Sequence, residues 1–168
     1  MMERLWAGWR SRYVSELAGT AGSDCFLCAL CALPTEGLLS AETLVLERTA
    51  LSVTVMNLYP YGSGHLLVAP CRHEAALEDL SDAEADALMA AVRRAVRAVK
   101  AAYGPDGVNV GMNLGAAAGA GVPGHLHAHA LPRWQGDTNF MTAVAEVRVL
   151  PEDLATGWAK LRAAWPQQ

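Results

Sequence analysis

The chain has 168 residues, of which 52% are hydrophobic and 18% charged, a balance that suits one globular domain with a sizeable core and argues against a disordered chain. Its net charge of −4 removes any general attraction to nucleic acid or to an anionic membrane, so an anionic ligand has to be met by a local site. No apolar run reaches the roughly 18 residues of a spanning helix and no basic-then-apolar leader opens the chain, so the expected compartment is the cytoplasm, with no membrane and no nucleic acid as partner.

Taken in order, Met1 to Tyr13 carries Trp6, Trp9, Arg10, Arg12 and Tyr13. Rings interleaved with cations suit stacking on nucleic acid or docking of aromatic anchors with snorkelling Arg side chains. Docking is the commoner arrangement, and residues 1–24 are expected to pack as a segment on the core. Three of the four cysteines, Cys25, Cys28 and Cys31, are crowded together, which fits metal or free thiols better than a disulfide framework. Cys25-Phe26-Leu27-Cys28 has the spacing with which two thiolates reach one tetrahedral metal from a tight turn. Thioredoxin-like redox chemistry is a rival without the surrounding βαβ pattern. The fourth cysteine, Cys71, is expected as a buried small hydrophobe.

Leu44–Glu47 and Leu51–Met56 read as two short strands with Arg48-Thr49-Ala50 as the turn between them. Asn57–His65 is a loop by its Pro and Gly content and feeds the strand Leu66–Ala69, which Pro70 stops. Ser81-Asp82-Ala83-Glu84 is a capping box. Ala85, Leu88, Val92, Val96 and Val99 then recur at helical spacing to about Tyr103, where Gly104-Pro105 ends the helix. Its Arg93, Arg94, Arg97 and Lys100 face is expected to be solvated. Gly107–Leu114 reads as a strand, and Gly115–Gly124 as a Gly/Ala loop whose backbone N–H groups can approach a phosphate closely. Pro132–Met141 is irregular and polar, Val144–Leu150 reads as a further strand, and Pro151 starts a terminal helix with Leu154, Trp158, Leu161 and Trp165 at core spacing. Without repeats or linkers, one domain is expected over 1–168, with a catalytic core at 25–150 and the terminal helix at 151–168.

Three of the five histidines fall in His125-Leu126-His127-Ala128-His129. In a strand these three rings would stand in a row on one face. Buried imidazoles need partners, so a solvated or internally bonded face is the plain alternative. Beside a Gly-rich loop they have a chemical use. An imidazole nitrogen attacks phosphorus readily near pH 7, and imidazolium and N–H groups stabilise charge on the phosphate oxygens.

The run resembles the His-φ-His-φ-His-φ-φ signature of the histidine triad (HIT) family of nucleotidyl hydrolases and transferases, where φ is hydrophobic. Asn57–Pro70 is similar to the family's Asn-x-x-Pro-x-x-x-Gly-His-Leu-Leu-Val-x-Pro loop. Pro132–Met141 and the Ala-Gly-Ala-Gly loop resemble the branch that phosphorolyses diadenosine tetraphosphate. The resemblance implies an α+β fold of HIT type, with an antiparallel sheet of about five strands, one long helix and a C-terminal helix, paired edge to edge as a homodimer. It implies transfer of a nucleotidyl group from a dinucleoside polyphosphate to His127, and then to phosphate (phosphorylase) or water (hydrolase).

In the same correspondence His129 contacts the phosphate and assists the leaving group, and His65 lines the phosphate site. Asn57 lies near the ribose, Asn113 stands beside the phosphate, and Gly119 and Gly121 offer backbone N–H groups. Thr138 and Asn139 help to admit an acceptor phosphate. Cys25, Cys28, His73 and His125 are implied as a structural zinc set, with Cys31 an alternative ligand and free thiols the plain alternative; a divalent ion can accompany the substrate. One departure stands out: Val122-Pro123-Gly124 occupies the stretch where many relatives place Ser or Thr, which puts a hydroxyl proton donor in doubt. The rival functions are a nucleoside phosphoramidase, a general nucleotidyl hydrolase, or a non-catalytic nucleotide-binding zinc module. Uridylyl transfer between sugars fits less well, because that family usually replaces the third histidine with Gln.

Overall fold

The computed structural model describes residues 25–137 and 152–166. Helix α1 (Phe26–Ala32) leads to strands β1 (Val45–Arg48), β2 (Ser52–Met56) and β3 (Leu66–Pro70), helix α2 (Asp82–Tyr103), strands β4 (Gly107–Met112) and β5 (Ala128–Arg133), and helix α3 (Leu154–Ala163). The strands form one antiparallel five-stranded sheet in the order β1-β2-β3-β5-β4. The α+β expectation therefore stands.

Local chemistry explains the elements. The β1–β2 turn closes because the Thr49 hydroxyl accepts hydrogen bonds from the backbone N–H groups of Leu51 and Ser52, a short side-chain turn that competes well with open loop. Every residue of β2 and β3 is buried, including the polar Ser52 and Thr54 of β2, as befits strands inside the sheet. Helix α2 starts in the expected capping box between Ser81 and Glu84 and stops at Gly104 in a left-handed conformation (φ 53°). Its core stripe is Leu88, Ala91, Val92, Ala95, Ala98 and Val99. The small alanines let the helix lie close against β2, β3 and β5.

Some boundaries and one face differ from expectation. Pro70 is the last residue of β3 rather than a stop outside it, paired with Ser52 at the sheet end where a missing N–H is tolerated. The long helix does not present all its cations to water: Arg94 makes a bidentate pair with Glu47 at 2.8–2.9 Å, and Glu47 is buried. Trp165 Nε1–H donates to the same carboxylate at 3.3 Å, and Trp158 Nε1–H donates to the Val45 carbonyl at 2.9 Å. These contacts seat α3 against β1. That helix begins at Leu154, capped by the Asp153 carboxylate on Thr156 N–H, rather than at Pro151. The expected segment 1–24, the strand Val144–Leu150, and Thr138 and Asn139 lie outside the described residues. Among the described residues, no helix is long and apolar enough to cross a membrane.

Candidate active site and metal centre

The sheet order brings the loop before β3 and the start of β5 side by side. Leu67 pairs with His129, so His65, two residues earlier, is a diagonal neighbour of His129 on the same face. Their rings meet through His65 Nε2 and His129 Nδ1 at 2.9 Å. The Tyr61 backbone N–H donates to His65 Nδ1 at 3.1 Å, and the Asn57 amide lies 3.3 Å from the same atom. A nitrogen that accepts a hydrogen bond has no proton, so neutral His65 carries its proton on Nε2 and donates it to His129 Nδ1. Neutral His129 in turn carries its proton on Nε2. A backbone amide thus sets two tautomers in sequence.

His127 is set differently. Its Nδ1–H donates to the His125 carbonyl at 2.8 Å, which leaves Nε2 as the lone-pair nitrogen. Burial pushes the His127 pKa below its ordinary value, the His125 carbonyl opposing this only in part. At neutral pH the ring is therefore an uncharged base with a bare Nε2. Its ring centroid is 5.0 Å from that of His129. The antiparallel register of β4 and β5 ends at Met112 opposite Ala128, which brings Asn113 level with His127. The Asn113 amide donates to the Gly119 carbonyl at 3.2 Å, tying down the Gly/Ala loop. Gly115 and Gly119 have φ of 79° and 89°, a left-handed backbone that side chains resist. Gly121 is half-buried in the same loop.

The expected row of three histidines is split. β5 starts only at Ala128, after a turn in which His125 N–H bonds to the Val122 carbonyl. The His125 ring leaves its two neighbours and joins Cys25, Cys28 and His73, whose ligand atoms all lie within 4.8 Å of one another. His125 Nδ1 is 3.2 Å from Cys25 Sγ and 3.5 Å from Cys28 Sγ, and His73 Nδ1 is 3.2 Å from Cys28 Sγ. Ligands around a tetrahedral zinc, with bonds of about 2.0–2.3 Å, stand at similar separations. His125 Nε2–H donates to the Pro70 carbonyl at 2.9 Å, so Nδ1 is the nitrogen left for a metal, in the orientation that outer hydrogen bonds give to ligating histidines. Burial, with Cys25 alongside, pushes the Cys28 thiol up to about 11. Such a thiol set is stable as neutral groups or around a cation. The donor set fits zinc.

The structure thus gathers His65, His127, His129 and Asn57 in one site, with Asn113, Gly119 and Gly121 at its loop, and Cys25, Cys28, His73 and His125 in another. The two are joined by the backbone of His125. Sequence reasoning missed Tyr61, whose ring lies 4.6 Å from that of His65 and is stacked at 5.9 Å on His129. It missed Tyr103 too, packed behind Gly64. For Tyr61 the signal was an aromatic residue inside a loop otherwise read by its Asn, Pro and Gly. Cys71 packs against the core as expected but is only partly buried, with its sulfur against Cys31.

Clustered imidazoles with set tautomers therefore stand beside a glycine loop and a Cys2His2 set on an α+β scaffold. A model of the HIT domain matches residues 39–136. The chain is 41% identical over 170 residues to AP-4-A phosphorylase of Mycobacterium tuberculosis (strain ATCC 25618 / H37Rv), covering 99% of this chain and 86% of that protein. It is 37% identical over 93 residues to the asymmetrical bis(5'-nucleosyl)-tetraphosphatase of Schizosaccharomyces pombe, covering 55% of this chain and 50% of that one. A crystal structure of a Zn-bound histidine triad family protein from Mycobacterium smegmatis superposes with a TM-score of 0.65 at 28% identity, covering 84% of this chain and 92% of that one. The chain belongs to the HIT family and is one of its nucleotidyltransferase or hydrolase enzymes.

Proposed function

We propose that the chain transfers the nucleotidyl group of a dinucleoside polyphosphate, of the diadenosine tetraphosphate class, to Nε2 of His127 and then to inorganic phosphate. The observation that carries this is the His127 environment, a buried neutral ring whose Nδ1–H is committed to the His125 carbonyl. In the first step the Nε2 lone pair attacks the α-phosphorus, a nitrogen–phosphorus bond forms, and the bond to the bridging oxygen breaks, releasing a nucleoside triphosphate. In the second, a phosphate oxygen attacks the same phosphorus, the nitrogen–phosphorus bond breaks, and a nucleoside diphosphate leaves.

The missing hydroxyl donor at Val122-Pro123-Gly124 favours this substrate over a phosphoramidate. A terminal phosphate has a second pKa of about 6 and leaves as a stable anion, so a hydrogen bond from His129 Nε2–H suffices. An amine leaving group needs a whole proton. Asn57 is read at the ribose, and Asn113 with the backbone N–H groups of Gly119 and Gly121 at the phosphates. Thr138 and Asn139 are read at the acceptor. Phosphate is preferred to water because the 41%-identical relative is named a phosphorylase. Cys25, Cys28, His73 and His125 would hold zinc in a structural role, fixing the backbone of His125 to which His127 is bonded. β4 is one edge of the sheet, with Val110 and, just beyond it, Leu114 about half exposed, and suits edge pairing with a second copy. The cytoplasm is the proposed compartment.

Product analysis on diadenosine tetraphosphate with and without inorganic phosphate is the test. ADP plus ATP formed only with phosphate is expected. AMP plus ATP without phosphate would make water the acceptor, and no products would move the assignment to a phosphoramidase or a binding module. His127→Gly should lower turnover by on the order of 10³-fold or more while nucleotide binding stays measurable; unchanged turnover would remove His127 as nucleophile.

A further inference from the structure

We propose that Cys31 and Cys71 form a reversible disulfide site, separate from the Cys2His2 set. Cys25, Cys28 and Cys31 are spaced three apart and so share one side of α1. The first two sulfurs face His73 and His125. The third faces Cys71, at a sulfur–sulfur distance of 2.8 Å across 40 positions of sequence. Both thiols are free and only partly buried, at the margin of the core rather than inside it. A disulfide needs its sulfurs at about 2.05 Å, and the remaining approach is within reach of side-chain rotation.

The two backbones are held for that approach. Arg48 Nη1 donates to the Cys31 carbonyl at 2.8 Å and to the Leu33 carbonyl at 2.5 Å, anchoring the end of α1. The Cys71 backbone N–H donates to the Leu51 carbonyl at 2.9 Å, anchoring the residue just after β3.

The oxidant is a low-molecular-weight disulfide. One thiolate of the pair attacks one of its sulfurs, forming a mixed disulfide and releasing one small thiol. The other thiolate attacks the protein sulfur of that mixed disulfide, forming the Cys31–Cys71 bond and releasing the second small thiol. The protein loses two protons and two electrons, and the small disulfide takes them up as two thiols. The bond ties the helix that carries Cys25 and Cys28 to the strand end two residues before His73, independently of any metal.

The full chain as purified is exposed to oxidised glutathione, its remaining free thiols are alkylated, and a non-reducing digest is mapped by mass spectrometry. A linked peptide joining Cys31 to Cys71, lighter by two hydrogens, reversed by dithiothreitol and absent from Cys31→Ser and from Cys71→Ser, is expected. Linkage of Cys25 to Cys28, a persistent glutathione adduct on Cys31 or Cys71, or no linkage would overturn the proposal. Oxidation should also raise the Tm of the unsubstituted chain by roughly 5–10 °C. An equal rise in both Ser variants would count against the pair.

Discussion

His127 keeps its proton on Nδ1 through the His125 carbonyl, and the sign of its burial effect has two consequences. Its pKa is lowered, chiefly by desolvation, and it must be unprotonated to attack. The acid limb of kcat/KM is therefore expected below about pH 6.5, the ordinary imidazole value. A pH–rate profile whose acid limb lies above that value would contradict the assignment. The same shift makes the unfolded chain bind a proton where the folded one does not. This ring's contribution to stability accordingly rises with pH through the window from the lowered pKa to about 6.5, and is lost below it.

Two contacts tie α2 to its neighbours, one to the loop before β3 and one to β1. Gly64, just before His65, has a φ of 73°, and a Cβ built there would stand 2.6 Å from Cε2 of Tyr103 on α2. Gly64→Ala is expected to destabilise the protein by about 1–3 kcal/mol and to lower activity, because it strains the backbone that delivers His65. Adding Tyr103→Leu should recover the part due to the clash and leave the part due to the positive φ, a split readable by urea unfolding. The second contact is between α2 and β1. Arg94→Met leaves the Glu47 carboxylate buried without its guanidinium, with the Trp165 indole N–H still donating to it. With the Arg94 side chain itself 21% exposed, the expected loss is about 2 kcal/mol rather than the larger cost of breaking a fully buried pair. A loss under a few tenths would mean that water replaces the guanidinium.

Across the whole molecule the Cys2His2 set draws on α1, on the chain after β3 and on the approach to β5. A metal there would cross-link segments 100 residues apart in sequence. Chelation of the purified protein is expected to lower Tm by about 5 °C or more and to reduce turnover through loss of the His125 anchor; an unchanged Tm with metal demonstrably removed would rule out a structural role. A second copy paired along β4 predicts a dimer mass in light scattering.

By itself the sequence determined the α+β class, the five strands to within a few residues, the long helix with both its ends, and which residues are able to carry chemistry; it did not show α1, which occupies the Cys25-Phe26-Leu27-Cys28 stretch read as a tight turn. Alternation, helical spacing, capping boxes and motif spacing are properties of neighbours along the chain. Only the tertiary structure decided how those residues divide. It sent His125 to the cysteines and left His127 beside His129, because β5 begins three residues later than the pattern suggested. It set the tautomers through a backbone amide and carbonyls, took Arg94 from solvent to Glu47, and put Cys71 against Cys31. Each of these depends on atoms from two to 100 positions apart meeting once the sheet has its order, and no local pattern encodes such a meeting.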